Sequence, residues 1–178
     1  MNWDPLINSV LEREGGWSDR AEDKGGPTHR GITLKTYSTW LDREATVDEL
    51  KALPETEARM IYLQMYVNDP GLFRLTSPAL CEAMFDWVVN SGPRYAIRAL
   101  QLQLGVPVDG ILGDGTAKVA NEKDGFKLAQ NVCWDRVTFI ADWMRKDKRD
   151  ADRDGVPDSM ENAAGILRRI ADLGRSLA

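Results

Sequence analysis

Glu14-Gly15-Gly16-Trp17-Ser18-Asp19, running on through Glu22-Asp23-Lys24-Gly25-Gly26-Pro27-Thr28 to Gly31-Ile32-Thr33, decides how the first third of this chain folds. Before it, Asp4-Pro5 sets a cap and a proline at the first helical position, and Leu6, Ile7, Val10 and Leu11 repeat at helical spacing. The helix they form stops at Gly15-Gly16. From Gly15 to Ile32 the periodicity vanishes, and four glycines precede Gly31, which predicts a long loop or a short irregular hairpin. Loops of that length are uncommon in compact domains unless they serve a function.

Glu14 closes the helix near its Ile7/Val10/Leu11 face. A carboxyl held against apolar groups has its neutral form favoured and its pKa raised, which suits a general acid working near neutral pH. The two glycines after it let the backbone turn sharply and let a ligand approach. Asp23, wetter and ionised, can activate water or stabilise positive charge on a sugar ring, and Thr28 can help to hold that water. The competing reading of Glu14 is a solvated residue at a helix end.

Working outward, the signal is helical almost throughout. Thr46 with Glu49 is a capping box. After Pro54, Ala58, Ile61, Tyr62, Met65 and Tyr66 share one face and read as core. Helices follow from Pro78 to about Asn90 and from Pro93 through Leu104. A turn-rich stretch, Gly105 to Gly115, then leads to a long helix from about Phe126 to Lys148, and a last helix covers roughly Ser159 to Leu173. Leu100, Leu104 and Ile111 read as packing residues, as do Trp134 and Trp143 on the long helix. Asn90 and Ser91 end an apolar helix before Gly92, where they either line a groove or cap the helix. The fold class is all-α, with one small irregular or β-hairpin loop.

Composition removes several functions. The 178 residues are 43% hydrophobic and 29% charged, enough for a real core, and the formal charge of -5 argues against a phosphate backbone as partner. No run of about 18 apolar residues exists to span a membrane. Met1-Asn2-Trp3-Asp4-Pro5 has neither the basic nor the apolar region of a secretory signal. Cys81 and Cys133 form no metal spacing and read as buried thiols of a protein made in a reducing cytoplasm. The single histidine, His29, excludes histidine-cluster metal sites and reads as a surface loop residue. Chemistry must therefore come from carboxylates.

A second motif stands near the C-terminus. Asp150-Ala151-Asp152-Arg153-Asp154-Gly155-Val156-Pro157-Asp158-Ser159-Met160-Glu161 matches the D-x-D-x-D-G-x5-E spacing of an EF-hand calcium loop. Ca²⁺ takes 6–8 oxygens. Asp150, Asp152 and Asp154 supply side-chain oxygens, Val156 its carbonyl, Asp158 a direct or water-mediated contact, and Glu161 a bidentate carboxylate. Pro157 stands where a sister loop would pair through an amide, and proline has none, so the site is expected to be solitary and structural. This loop carries four of the five net negative charges, leaving the rest of the chain almost neutral.

Glu14-Gly15-Gly16-Trp17, Asp23, Gly25-Gly26-Pro27-Thr28 and Gly31-Ile32-Thr33 together resemble the signature of the phage-type muramidases of glycoside hydrolase family 108. The order Glu, Asp, Thr is also similar to the phage lysozymes of family 24. Leu100-Gln101-Leu102-Gln103-Leu104-Gly105-Val106 and Asp109-Gly110-Ile111-Leu112-Gly113 with Thr116 resemble the peptidoglycan-binding-like half that accompanies family 108 segments. The likeness covers roughly residues 6–145. It implies a single lysozyme-like muramidase domain over 1–178, with a catalytic segment 1–92 and a peptidoglycan-binding-like helical half 93–178 that includes loop 150–161 in an EF-hand-like helix–loop–helix. It further implies that Glu14 protonates the β-1,4 bond between N-acetylmuramic acid and N-acetylglucosamine, with Asp23 and Thr28 assisting and Trp17, in place of the commoner tyrosine, as a sugar platform. A phage endolysin of this kind is expected to be a monomer, to accumulate in the bacterial cytoplasm and to need a separate holin-type partner to reach the wall. A lytic transglycosylase and a non-catalytic calcium-dependent wall-binding module are the alternatives.

Overall fold

The computed structural model describes residues 1–14, 16–18, 26–146, 163, 165–168 and 170–172. The chain divides into two compact units, residues 2–65 and residue 1 with 66–178.

In the first unit, α1 (Asp4–Glu14) opens where Asn2 Oδ1 accepts from the Asp4 amide at 3.0 Å, and it ends where the glycines begin. Its buried stripe is Ile7, Val10 and Leu11. Three two-residue strands follow: β1 (Trp17–Ser18), β2 (Thr28–His29) and β3 (Ile32–Thr33), antiparallel in that order. The expected irregular segment is thus a small three-stranded sheet. Between β2 and β3 the chain reverses through Arg30 and Gly31, with φ of 54° and 74°; two left-handed residues make the tight turn whose twist suits a hairpin. Gly31 adopts that conformation freely, and Arg30 is held in it by neighbours described below.

Thr33 leaves the sheet and immediately caps α2 (Leu34–Leu41), its hydroxyl accepting from the Thr36 amide at 3.1 Å. No helix was expected at α2, although Leu34, Tyr37 and Leu41 recur there at helical spacing; the helix is short and only Tyr37 is buried. The capping box expected from Thr46 and Glu49 opens α3 (Val47–Lys51). Then α4 (Glu55–Ile61) runs into a π-helical stretch, Tyr62–Asn68. That wider turn corrects the regular stripe expected there. Ala58, Ile61 and Tyr62 are buried, but the next buried residue is Val67, five positions after Tyr62, while Met65 and Tyr66 are only half-buried.

The second unit is built around α5 (Pro78–Ser91), capped by the Ser77 hydroxyl. It packs against α6 (Pro93–Leu104) and α8 (Gly125–Lys146), which also pack against each other. A short helix, α7 (Asp114–Asn121), lies between them in the chain; it buries only Ala117 and Ala120 and left no apolar period to read. Gly125 sits so close to Ser77 that a Cβ there would meet the serine Cβ at 2.3 Å, so α8 can start against the head of α5 only because that residue is glycine. On α8 the buried stripe is Leu128, Ala129, Val132, Cys133, Arg136 and Ile140. Trp134 falls off it and is 71% exposed, which corrects its expected place in the core; Trp143 is half-buried. Ile111, expected to pack, is 67% exposed, and its neighbour Leu112 is buried instead. Leu100 is fully buried and Leu104 half-buried.

Inside this apolar interface lies a charge pair, Asp86 of α5 and Arg136 of α8, hydrogen-bonded through Nη1 with both side chains nearly inaccessible. Arg136 Nε and Nη2 find no acceptor among the described residues. Trp87 and Tyr95 flank Phe139 with ring centroids 6.0 and 4.9 Å away. A buried ion pair returns little net stability, yet removing one partner strands the other charge. Arg136→Met is therefore expected to lower the unfolding free energy by about 3–5 kcal/mol in urea denaturation, whereas the double replacement Asp86→Leu with Arg136→Met recovers most of that loss.

Candidate active site

Glu14 is the last residue of α1, seven positions after Ile7 and three after Leu11, so its backbone stands on the helix's buried register. The chain then enters β1, where Trp17 faces His29 and Ser18 faces Thr28 across the ladder. Thr28 also pairs with Thr33. Asp23 belongs to the connection between β1 and β2, residues 19–25, outside the described residues. The sheet thus places Trp17 and Thr28 on neighbouring strands directly after Glu14. Asn90 and Ser91 belong to the other unit, in the last turn of α5. Asn90 Nδ2 donates to the Asp86 carbonyl at 2.7 Å, a bond within its own helix, and the C-cap of α5 is Gly92.

Strands this short cannot hold themselves, and side chains from outside secure them. His29 is half-buried rather than a surface residue. Its Nδ1 lies 2.9 Å from the Leu50 carbonyl, which can only accept, so Nδ1 carries the hydrogen. The Tyr62 hydroxyl donates to the Arg30 carbonyl at 3.0 Å, fixing the left-handed turn residue. Arg30 reaches Glu55 at 3.4 Å, Glu55 also takes Arg59 at 2.9 Å, and Arg59 donates to Asn8 of α1. Trp17 meets the His29 ring edge-on with centroids 6.5 Å apart, and the Lys51 ammonium stands 4.7 Å from the Trp17 centroid.

Leu50 and Lys51 end α3, and neither had a motif to mark it in the sequence. The other end of α3 is fixed by Glu49, which takes Arg43 at 2.6 Å and the Thr46 amide at 2.8 Å. Arg43, then the amide and hydroxyl of Thr46, hold the Glu49 carboxyl down to about 2.

Residues 7–92 match the glycosyl hydrolase 108 family. The matched segment takes in Glu14, Trp17, Asp23, Thr28, Asn90 and Ser91, and the match supports glycoside hydrolase chemistry. The whole chain is also similar to the structure of SagA from Brucella abortus, with a TM-score of 0.83 and 27% identity, over 98% of this chain and 92% of that one. No curated protein matches. Mostly helical with one three-stranded sheet among the described residues, the fold fits the lysozyme-like architecture that the sequence resemblance implied.

Asp150, Asp152, Asp154, Val156, Asp158 and Glu161, the calcium ligands expected from sequence, lie outside the described residues. Among the described residues no group of three or more His, Cys, Asp or Glu gathers to hold a metal.

Because Glu49 titrates below its ordinary 4.5 in the folded chain, its contribution to stability is present above about pH 4.5 and is lost as pH falls through about 2. Glu49→Gln should melt at a lower temperature than the parent at pH 7, and the gap should close as both are titrated from about pH 4.5 toward 2.

Proposed function

We propose that this chain is an endolysin-type muramidase, hydrolysing the β-1,4 bond between N-acetylmuramic acid and N-acetylglucosamine in bacterial peptidoglycan. The observation that carries this reading is the ending of α1 at Glu14, followed at once by strands bearing Trp17 and Thr28, inside the segment matched to glycosyl hydrolase 108. In the proposed reaction the Glu14 carboxyl gives its proton to the glycosidic oxygen as the C1–O bond breaks and the next sugar departs as an alcohol. Positive charge develops on the ring, and Asp23 either stabilises it or steers water. Water adds its hydroxyl to C1, and its second proton passes to a carboxylate. Thr28 holds that water and Trp17 offers an apolar surface to a sugar, with Asn90 and Ser91 as further glycan contacts. The helical half 93–178 is proposed to bind the wall.

Within the described residues no helix is long and apolar enough to cross a membrane. We place synthesis in a host bacterial cytoplasm and action on the wall after a separate holin-type partner opens the membrane. Loop 150–161 is proposed to bind one Ca²⁺ through Asp150, Asp152, Asp154, Val156, Asp158 and Glu161, joining the helical segments on either side; the cation neutralises carboxylates that otherwise repel one another.

Digestion of purified peptidoglycan, with mass spectrometry of the products, tests the reaction. Wild type should release reducing muramic ends, and Glu14→Gln should slow this by about 10²- to 10⁴-fold. Anhydro ends would indicate a transglycosylase, and equal inactivity of both proteins a binding module. For the metal, excess chelator should lower the melting temperature, and titration calorimetry should find one Ca²⁺ site. An unchanged melting temperature with no heat of binding would remove calcium from this account.

A further inference from the structure

The side chain that ends α3 has a position its surroundings do not require. Asp48 stands one turn behind Lys51 on the same helix and is exposed, an ordinary ion-pair partner for it. The Lys51 ammonium instead lies over the Trp17 ring, and no carboxylate among the described residues comes within ion-pair distance of it. The glutamates of α3 and α4 are already engaged. Glu49 takes Arg43 and Thr46, Glu55 takes Arg30 and Arg59, and Glu57 accepts the Trp40 indole N–H at 3.1 Å. Lys51 is exposed, so the ammonium hydrogens not turned to the ring face water. A cation over a solvent-accessible ring adds little to stability, so the contact orients the charge more than it secures the fold.

That charge stands beside the strand that follows the proposed proton donor in the chain. Trp17 follows Glu14 by three residues, and a fully extended chain of that length spans at most about 11 Å. Both supports of the Lys51–Trp17 pair are tied to His29: Leu50 is fully buried and bonded to it through its carbonyl, and Trp17 pairs with it in the sheet.

We propose that Lys51 is a specificity-determining residue that binds a carboxylate of the muramyl peptide. The inference rests on the muramidase reading above and deepens it. The sugar backbone of the substrate is neutral, and its anionic groups are the carboxylates of the attached peptide or, where no peptide is attached, the free carboxylate of the lactyl ether. An ammonium on a flexible four-carbon stem meets such a group as a point charge, without demanding one fixed geometry, which suits a side branch that varies in position. Trp17 supplies apolar surface for the sugar while Lys51 takes the charged branch. The site thereby separates wall glycan from uncharged polymers of N-acetylglucosamine.

The test compares purified wall glycan in its native state with the same glycan after its carboxylates are converted to methylamides. Wild type should favour the native form by about fivefold in kcat/KM, carried by KM and shrinking with added salt, as for an ion pair open to water. Lys51→Met keeps the stem without the charge and should bring that ratio to about one, while Lys51→Arg should retain it. A Lys51→Met protein with the wild-type ratio would overturn the proposal, as would equal losses on both glycans. A titration that needs no turnover separates this proposal from the hydrolase reading. If wild type cleaves neither glycan, hydrolysis fails, yet a soluble muropeptide should still shift the Trp17 indole N–H resonance in wild type and not in Lys51→Met. No shift in either protein would sink the Lys51 assignment as well.

Discussion

A helix that is apolar on nearly every side has to be enclosed, and α5 imposes that demand on the second unit. Eight of its fourteen residues are buried, Asp86 among them, so α6 and α8 must lie against it. The one buried charge of α5 then dictates the buried charge described on the facing helix: Arg136 is buried because Asp86 is. The pairing costs desolvation, and an oily contact of the same volume would be at least as stable. It does fix how the two helices can meet, since a slide by one turn would leave both charges buried without each other.

The first unit obeys a different rule. Its strands are two residues long, too short to persist as an isolated sheet, and their conformation is imposed from outside. The Leu50 carbonyl, the Tyr62 hydroxyl and the Pro27 carbonyl, which takes the Leu34 amide at 3.0 Å, each satisfy or place one group of the hairpin. The segment next to the proposed acid is thereby set by α3 and the start of the π-helical stretch, elements that carry none of the groups proposed for the hydrolytic step itself.

Strong periodicity and strong punctuation were legible in the sequence. Asp4-Pro5 and Gly15-Gly16 marked both ends of α1, the Thr46–Glu49 box marked α3, and Pro78 and Pro93 marked α5 and α6. The buried state of both cysteines was legible too. What escaped had no local signature. Short helices such as α2 and α7 bury only one or two residues each, so their apolar pattern is too brief to stand out. A π-helical turn shifts the buried face by a residue, which the pattern of Tyr62, Met65 and Tyr66 does not encode. Trp134 misled because a large apolar side chain suggests a core, whereas its angular position on α8 decided its exposure. At the candidate site, the order Glu14, Trp17, Asp23, Thr28 could be read directly. Lys51 and the Leu50 carbonyl could not, since a lone lysine and a backbone oxygen acquire meaning only when the fold brings another segment beside them.

Cys81 and Cys133 gain a further significance from their burial, which pushes both thiols up to about 11. At pH 7 only about one molecule in ten thousand then carries a thiolate at either position, and the thiolate is the form that reacts. Burial therefore slows the reaction of these two thiols with oxidants and foreign disulfides. That reluctance is a property of packing and travels with the molecule.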